Sequence, residues 1–218
     1  MINRPIPTKN EIVLDPYKTI MSKTDKKGII EYANEYFMEI SGYKEWELMG
    51  QPHNIVRHPD MPKVVFKMLW DNLKIGNSIY AIVKNLAKSG DYYWVVADFK
   101  IIQDENGTID AIYARRKAVP QKVKDKLIPI YNVLLELEKS AGMEASAAYF
   151  NGKLEDAQMD YDSFILNIFG LNESQLEDYL SSEISDNALA GDNSYASSAE
   201  EAITKSTKKK GFFSRMFK

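Results

Sequence analysis

The alternation of apolar and polar positions predicts strands at both ends of the first 118 residues, with helices between them. Residues 18–22 and 28–32 are short β-compatible runs joined by Lys23-Thr24-Asp25-Lys26-Lys27, with Gly28 closing the turn, and predict a hairpin. Asn34 stands at an N-cap position ahead of Tyr36, Phe37 and Ile40, whose spacing marks the buried face of a short helix ended by Gly42. A second short helix over 45–49 ends at Gly50, and a longer one over 61–74 carries a polar stripe of Lys63, Lys67, Asp71 and Lys74. Residues 79–87, 91–103 and 107–118 are rich in Tyr, Val, Ile, Trp and Phe and are separated by turn signals, which predicts three antiparallel strands. Residues 18–118 thus read as one α+β domain, preceded by a proline-bearing extended arm over 1–17.

Pro120 breaks this pattern. Val123, Leu127, Ile130, Tyr131, Leu134 and Leu137 then follow helical spacing, with Pro129 as an expected kink, and a weaker helical segment covers 154–170. Together these form a helical extension over 119–171. The Ser, Asp, Glu, Asn and Ala content of 172–204 buries too little apolar surface to offset backbone ordering at roughly 1 to 2 kcal/mol per residue, so a flexible acidic linker is expected there.

Charge changes the picture mainly in the last third. The net charge of −3 points to no partner, nucleic acid included, but residues 173–201 carry eight acids and no Lys or Arg, whereas 205–218 carry six basic residues and no acid. On a helix, Phe213, Met216 and Phe217 share a face with Phe212 beside it, while Lys208, Lys209, Lys210 and Arg215 lie off it. This pattern suits a reversible contact with an anionic membrane surface, and the tail resembles a MinD-type membrane-targeting helix over about ten residues. A frayed solvated tail or docking on an acidic protein surface are the alternatives.

The absence of cysteine removes disulfides, thiolate metal sites and thiol nucleophiles. No run of about 18 apolar residues and no signal-peptide core is present, so the chain is expected in the cytoplasm, with the inner face of the membrane as the tail's destination. With two His residues, no Cys and no phosphate loop, no catalytic set is assembled, and an enzyme is not expected.

The densest chemistry lies in Pro52-His53-Asn54-Ile55-Val56-Arg57-His58-Pro59-Asp60-Met61-Pro62. If a helical turn covers 52–58, His53 and Arg57 share one face, and Pro59 cannot continue the turn. Arg57 offers a planar fork suited to phosphate, both imidazoles can donate to phosphate or ring heteroatoms, and Asp60 can cap the next helix or accept from a hydroxyl. The same run read without a ligand is a set of helix caps and surface ion pairs. Phe66 and Trp70 suit core packing as well as ring contact, and Asn85 a turn hydrogen bond.

Ser22-Lys23-Thr24-Asp25, Gly28 to Asn34, Ser41-Gly42-Tyr43 and Glu47-Leu48-Met49-Gly50 resemble the first half of a PAS domain. The run from Gln51 to Pro62, with Val83-Lys84-Asn85, Lys88-Ser89-Gly90-Asp91 and Tyr93-Trp94-Val95, resembles the PAS subfamily of aerotaxis (energy-taxis) receptors, over about residues 18–140. The resemblance implies a PAS fold with a five-stranded antiparallel sheet and noncovalent FAD held by Asn34, His53, Arg57, His58, Asp60, Phe66, Trp70 and Asn85. It also implies a redox signal passed to a separate chemotaxis transducer, with a homodimer as a further expectation. One departure stands out: Ile79-Tyr80-Ala81-Ile82 replaces a family tryptophan and small residues, and Tyr80 cannot simply substitute because adjacent strand residues face opposite ways. The alternatives are a cofactor-free interaction module and a haem protein, the latter disfavoured because nothing selects His53 or His58 as an axial ligand.

Overall fold

The computed structural model describes residues 4–181. Strands β1 (Ile20–Asp25), β2 (Ile30–Ala33), β3 (Ile79–Leu86), β4 (Tyr92–Gln103) and β5 (Ile109–Ala118) form one antiparallel sheet in the order β2-β1-β5-β4-β3. The order brings the first hairpin against the last strand, with Ile20 opposite Arg116 and Ser22 opposite Ala114. Helices α1 (Glu35–Ser41), α2 (Glu45–Leu48) and α3 (Lys63–Lys74) lie between β2 and β3 in the chain. This is the α+β architecture expected, with the first two strands displaced by about two residues along the chain.

Local chemistry sets these elements. Asn34 caps α1 by accepting from Phe37 N at 3.0 Å, and Gly42 ends it in the left-handed region at φ 72°. The 52–58 turn is shorter than expected: a single 3-10 turn spans His53–Val56, and Arg57 beyond it is extended and bridges Asn85 of β3. The α3 face toward the sheet carries Val65, Leu69 and Leu73, all buried.

Four helices follow the sheet: α4 (Gln121–Ala141), α5 (Met143–Asp156), α6 (Tyr161–Phe169) and α7 (Glu173–Ser181). They manage the open edge of β3, where the Tyr131 hydroxyl of α4 donates to Ile82 O at 2.8 Å and Asp162 of α6 accepts from Tyr80 N at 3.0 Å. The extension therefore differs from the expected single weak segment over 154–170: it is two helices separated near residue 157, the first starting eleven residues earlier. The first residues of the expected linker form α7. Asn172 Oδ1 accepts from Gln175 N at 2.9 Å while Asn172 N donates to Gln175 Oε1 at 3.0 Å, a reciprocal cap, and Leu176 and Leu180 are buried below it. The rest of the acidic linker and the basic tail, with Lys208, Lys209, Lys210, Phe212, Phe213, Arg215, Met216 and Phe217, lie outside the described residues. Among the described residues no helix is long and apolar enough to cross a membrane.

Candidate ligand-binding cleft

Strand alternation decides which side chains meet between the sheet and α3. Ser22 and Thr24 of β1, Val83 and Asn85 of β3, Phe99 of β4, and Ile112, Ala114 and Arg116 of β5 all project to one face. Opposite them α3 supplies Phe66, Leu69, Trp70 and Leu73, and the 3-10 turn closes one end with His53, Asn54 and Arg57. The cleft so formed measures about 870 Å³ including its solvent-open mouth. Lys27, Arg57 and Arg116 line it, and no carboxylate does.

The segment carrying His53 is tied to the first hairpin: His53 N donates to Gly28 O at 2.8 Å and Ile30 N to Gln51 O at 2.9 Å. The imidazole then stacks on Phe37, with centroids 5.6 Å apart and planes at 20°. Its Nε2 lies 3.0 Å from Arg116 Nη2 and 3.3 Å from Ser22 Oγ. A guanidinium has no acceptor, so Nε2 accepts and the ring proton sits on Nδ1. Burial, and secondly the Arg116 charge, drive His53 well below its ordinary 6.5, so it is neutral.

Arg116 is the deepest charge in the cleft, 3% exposed. It donates to Ser22 Oγ at 2.9 Å and to Ala114 O at 3.4 Å besides His53, and among the described residues it has no ion pair with a carboxylate. Burial lowers its pKa to about 10, partly opposed by Tyr93, so it remains cationic at neutral pH. An isolated buried cation costs several kcal/mol, roughly, unless an anion or strong acceptor joins it. Nearer the mouth, the Arg57 guanidinium lies 3.7 Å from the centroid of Phe66, a cation-π contact that fixes the fork's plane.

Of the eight residues expected to hold the ligand, the structure brings five into the cleft: His53, Arg57, Phe66, Trp70 and Asn85. Three are elsewhere. Asn34 spends its amide on backbone, accepting from Phe37 N and Met21 N, each at 3.0 Å, and donating one N–H to Thr19 O at 2.8 Å, and it does not line the cleft. His58 follows an extended Arg57 and so faces the other way, packed edge-on against Tyr92 with its Nδ1 accepting from Asp60 N at 3.0 Å. Asp60 is exposed, its carboxylate 3.7 Å from Lys84 Nζ. Tyr80 also faces away: its hydroxyl donates to Glu177 Oε1 of α7 at 2.8 Å, so it supplies no ring in place of the missing tryptophan. Arg116, Ser22, Lys27 and Gly28 were not expected as site residues. Arg115-Arg116-Lys117 carried the signal, since three consecutive cations on a strand cannot all face one way.

Residues 30–114 match the family model described as the PAS fold. The chain carries a PAS domain. The aerotaxis receptor of Escherichia coli (strain K12) is 40% identical over 134 residues, which is 62% of this chain and 26% of that protein. The bacterioopsin transcriptional activator of Halobacterium salinarum is 28% identical over 91 residues, 42% of this chain and 14% of that protein. This PAS protein therefore spans about a quarter or less of the length of these relatives. A solved light-oxygen-voltage domain is 16% identical at a TM-score of 0.48, over 51% of this chain and 85% of that one.

Proposed function

We propose that the PAS cleft binds FAD and that the chain is a redox sensor for energy taxis, signalling to a separate chemotaxis transducer. The observation that carries this reading is the composition of the cleft: aromatic walls, an amide at Asn85, and three cations with no carboxylate. An anionic ligand with a flat ring matches each of these. Trp70 and Phe66 offer apolar walls, and Asn85 offers both a donor and an acceptor for a ring edge. Arg116, held by Ser22 and neutral His53, offers a fixed cation to a carbonyl or anionic heteroatom at the deep end. When bound, flavin supplies a ring whose charge and protonation change with its redox state.

The residues around Arg116 also suggest the route of the signal. Arg115, its neighbour on β5, donates to Glu177 of α7 at 3.0 Å and to Ser181 at 3.1 Å, and the Tyr179 hydroxyl donates to Ala118 O at 2.7 Å. A shift of β5 driven by the cleft is felt directly by α7 on the opposite face, and through it by whatever the chain contacts. The similarity to an aerotaxis receptor supports a taxis output, and the transducer, a homodimer and membrane contact through the tail are parts of the same proposal.

An absorbance spectrum of the purified protein tests the reading. A yellow protein with flavin bands, or an apoprotein that takes up added FAD, is the expected result, and a colourless protein that ignores FAD refutes it. A cofactor-free interaction module is the second reading, favoured by Tyr80 facing α7 rather than the cleft.

A further inference from the structure

The N-terminal arm carries more structure than a proline-bearing tail needs. Thr8 N donates to Gly90 O at 2.7 Å, Tyr92 N to Asn10 O at 3.0 Å and Ile12 N to Tyr92 O at 2.7 Å, which ties the arm to the start of β4. Glu11 anchors it again on Lys124 of α4 at 2.6 Å. The arm lies so close to the turn before β4 that a Cβ on Gly90 would stand 2.3 Å from Ile6 O. From that anchor the chain runs to the 3-10 turn, where Arg4 Nη2 donates to Asn54 O at 3.1 Å.

Asn54 lines the cleft beside Arg57, so Arg4 reaches the cleft's mouth from a segment fifty residues away in sequence. Among the described residues, Arg4, Lys27 and Arg57 have no ion pair with a carboxylate. Burial, and next the charge of Arg4, lower the pKa of Arg57, which reports that the two guanidiniums sense each other; Glu138 opposes this. Like charges gathered with no carboxylate in ion-pair contact repel, and an arriving polyanion relieves that repulsion. Arg4 uses one of its five donors on Asn54 O and keeps the rest for oxygen atoms.

We propose that Arg4 is a ligand-binding residue: the arm is a clamp that carries Arg4 to the mouth of the cleft that Lys27 and Arg57 line, adding a third cation to a seat for the ligand's diphosphate. Identifying that ligand as FAD rests on the function proposed above. The clamp makes affinity depend on phosphate content, while the deep end near Arg116 reads the ring.

Titration of the full chain and its Arg4→Ala variant with FAD, FMN and riboflavin tests the clamp. Arg4→Ala is expected to weaken FAD about five- to tenfold, FMN less and riboflavin not at all, because one exposed charge-assisted contact is worth little more. The FAD effect shrinks at 0.5 M salt, where charges are screened over about 4 Å. Gly90→Ala, which lifts the arm without removing a charge, is expected to give the same order of losses. FAD binding that is unchanged by Arg4→Ala, or an equal loss for riboflavin, overturns the clamp and leaves the flavin reading standing. A wild-type chain that binds none of the three overturns both.

Discussion

Arg115 and Arg116 are consecutive on β5 and project to opposite faces of the sheet, yet only Arg115 meets carboxylates. Arg115 is held by Asp98 of β4 and by Glu177 of α7, the latter at 3.0 Å, whereas Arg116 meets Ser22 and a neutral His53. One guanidinium is a structural clasp and the other is a buried cation in a cleft. Their substitutions should therefore have opposite consequences. Arg116→Met should leave the melting temperature of the apoprotein unchanged or raised, because it removes an unpaired buried charge, while weakening FAD by about tenfold or more, the equivalent of one charged hydrogen bond. Arg115→Met should strand Asp98 and Glu177 and cost about 3 kcal/mol of stability, with the affinity of the folded fraction little changed. Thermal denaturation and flavin titration of both variants check this; a destabilised Arg116→Met apoprotein with unaltered affinity would reverse the assignment.

The pH dependence of stability follows from the neutral His53 of the cleft, which resists protonation below 6.5, and from two groups outside it. Burial raises the Glu177 carboxyl, but the Lys100 charge, the Tyr80 hydroxyl and Arg115 outweigh it and hold the group at about 2 against an ordinary 4.5. Its folded pKa is depressed, so its stabilisation is complete above about pH 4.5 and is lost as pH falls through about 2. His58 is lowered from 6.5 to about 4, first by burial and then by the Lys84 charge, with Asp60 opposing. Between those values the unfolded chain binds a proton that the folded chain refuses, so stability falls as pH drops from 6.5 to 4 and then levels for this group. Urea denaturation at pH 7, 5.5 and 4 should show the decline. His58→Gln should lessen it between 6.5 and 4, the buried neutral His53 keeping the remainder, and Glu177→Gln should lower stability at pH 7 by roughly 2 kcal/mol, since it leaves Lys100 and Arg115 under-compensated. An undiminished slope in His58→Gln would assign the decline to another group.

The fold was legible where periodicity was strong. The strand at 79–86, the α3 stripe and the Asn34 cap all emerge from residue type and spacing, because each shows itself in a pattern a few residues long. The cleft was legible only in part. His53, Arg57, Phe66, Trp70 and Asn85 were nameable from motif resemblance, but the motif could not say that an extended Arg57 turns the buried His58 away from the cleft or that Asp60 stands exposed. Arg116 belongs to the cleft through a strand pairing of residues far apart in sequence, Ser22 with Ala114, which no local pattern encodes. The start of α7 was readable as Asn172 three residues ahead of Gln175, a capping box, with Leu176 and Leu180 at i, i+4. The acidic, Ser-rich composition of the longer stretch masked this short signal.

Gly28 and Trp70 define how much space the cleft can offer. Gly28 closes the first hairpin at φ +82°, and a Cβ there would stand 3.0 Å from both Cη2 and Cζ2 of the Trp70 indole. The indole lines the cleft, so Gly28→Ala must push it toward the ligand space or strain the turn. Both effects lower affinity or stability, and a control separates them. Gly107, in the turn before β5, has φ +78° but nothing within 4 Å of its missing Cβ. Each alanine should cost about 1–2 kcal/mol of stability for its left-handed backbone. Only Gly28→Ala should also weaken FAD, by about tenfold as an order of magnitude, because only it intrudes on a cleft wall. Equal affinities for the two variants, measured by flavin fluorescence after each is shown to be folded, would remove Trp70 from the ligand's wall.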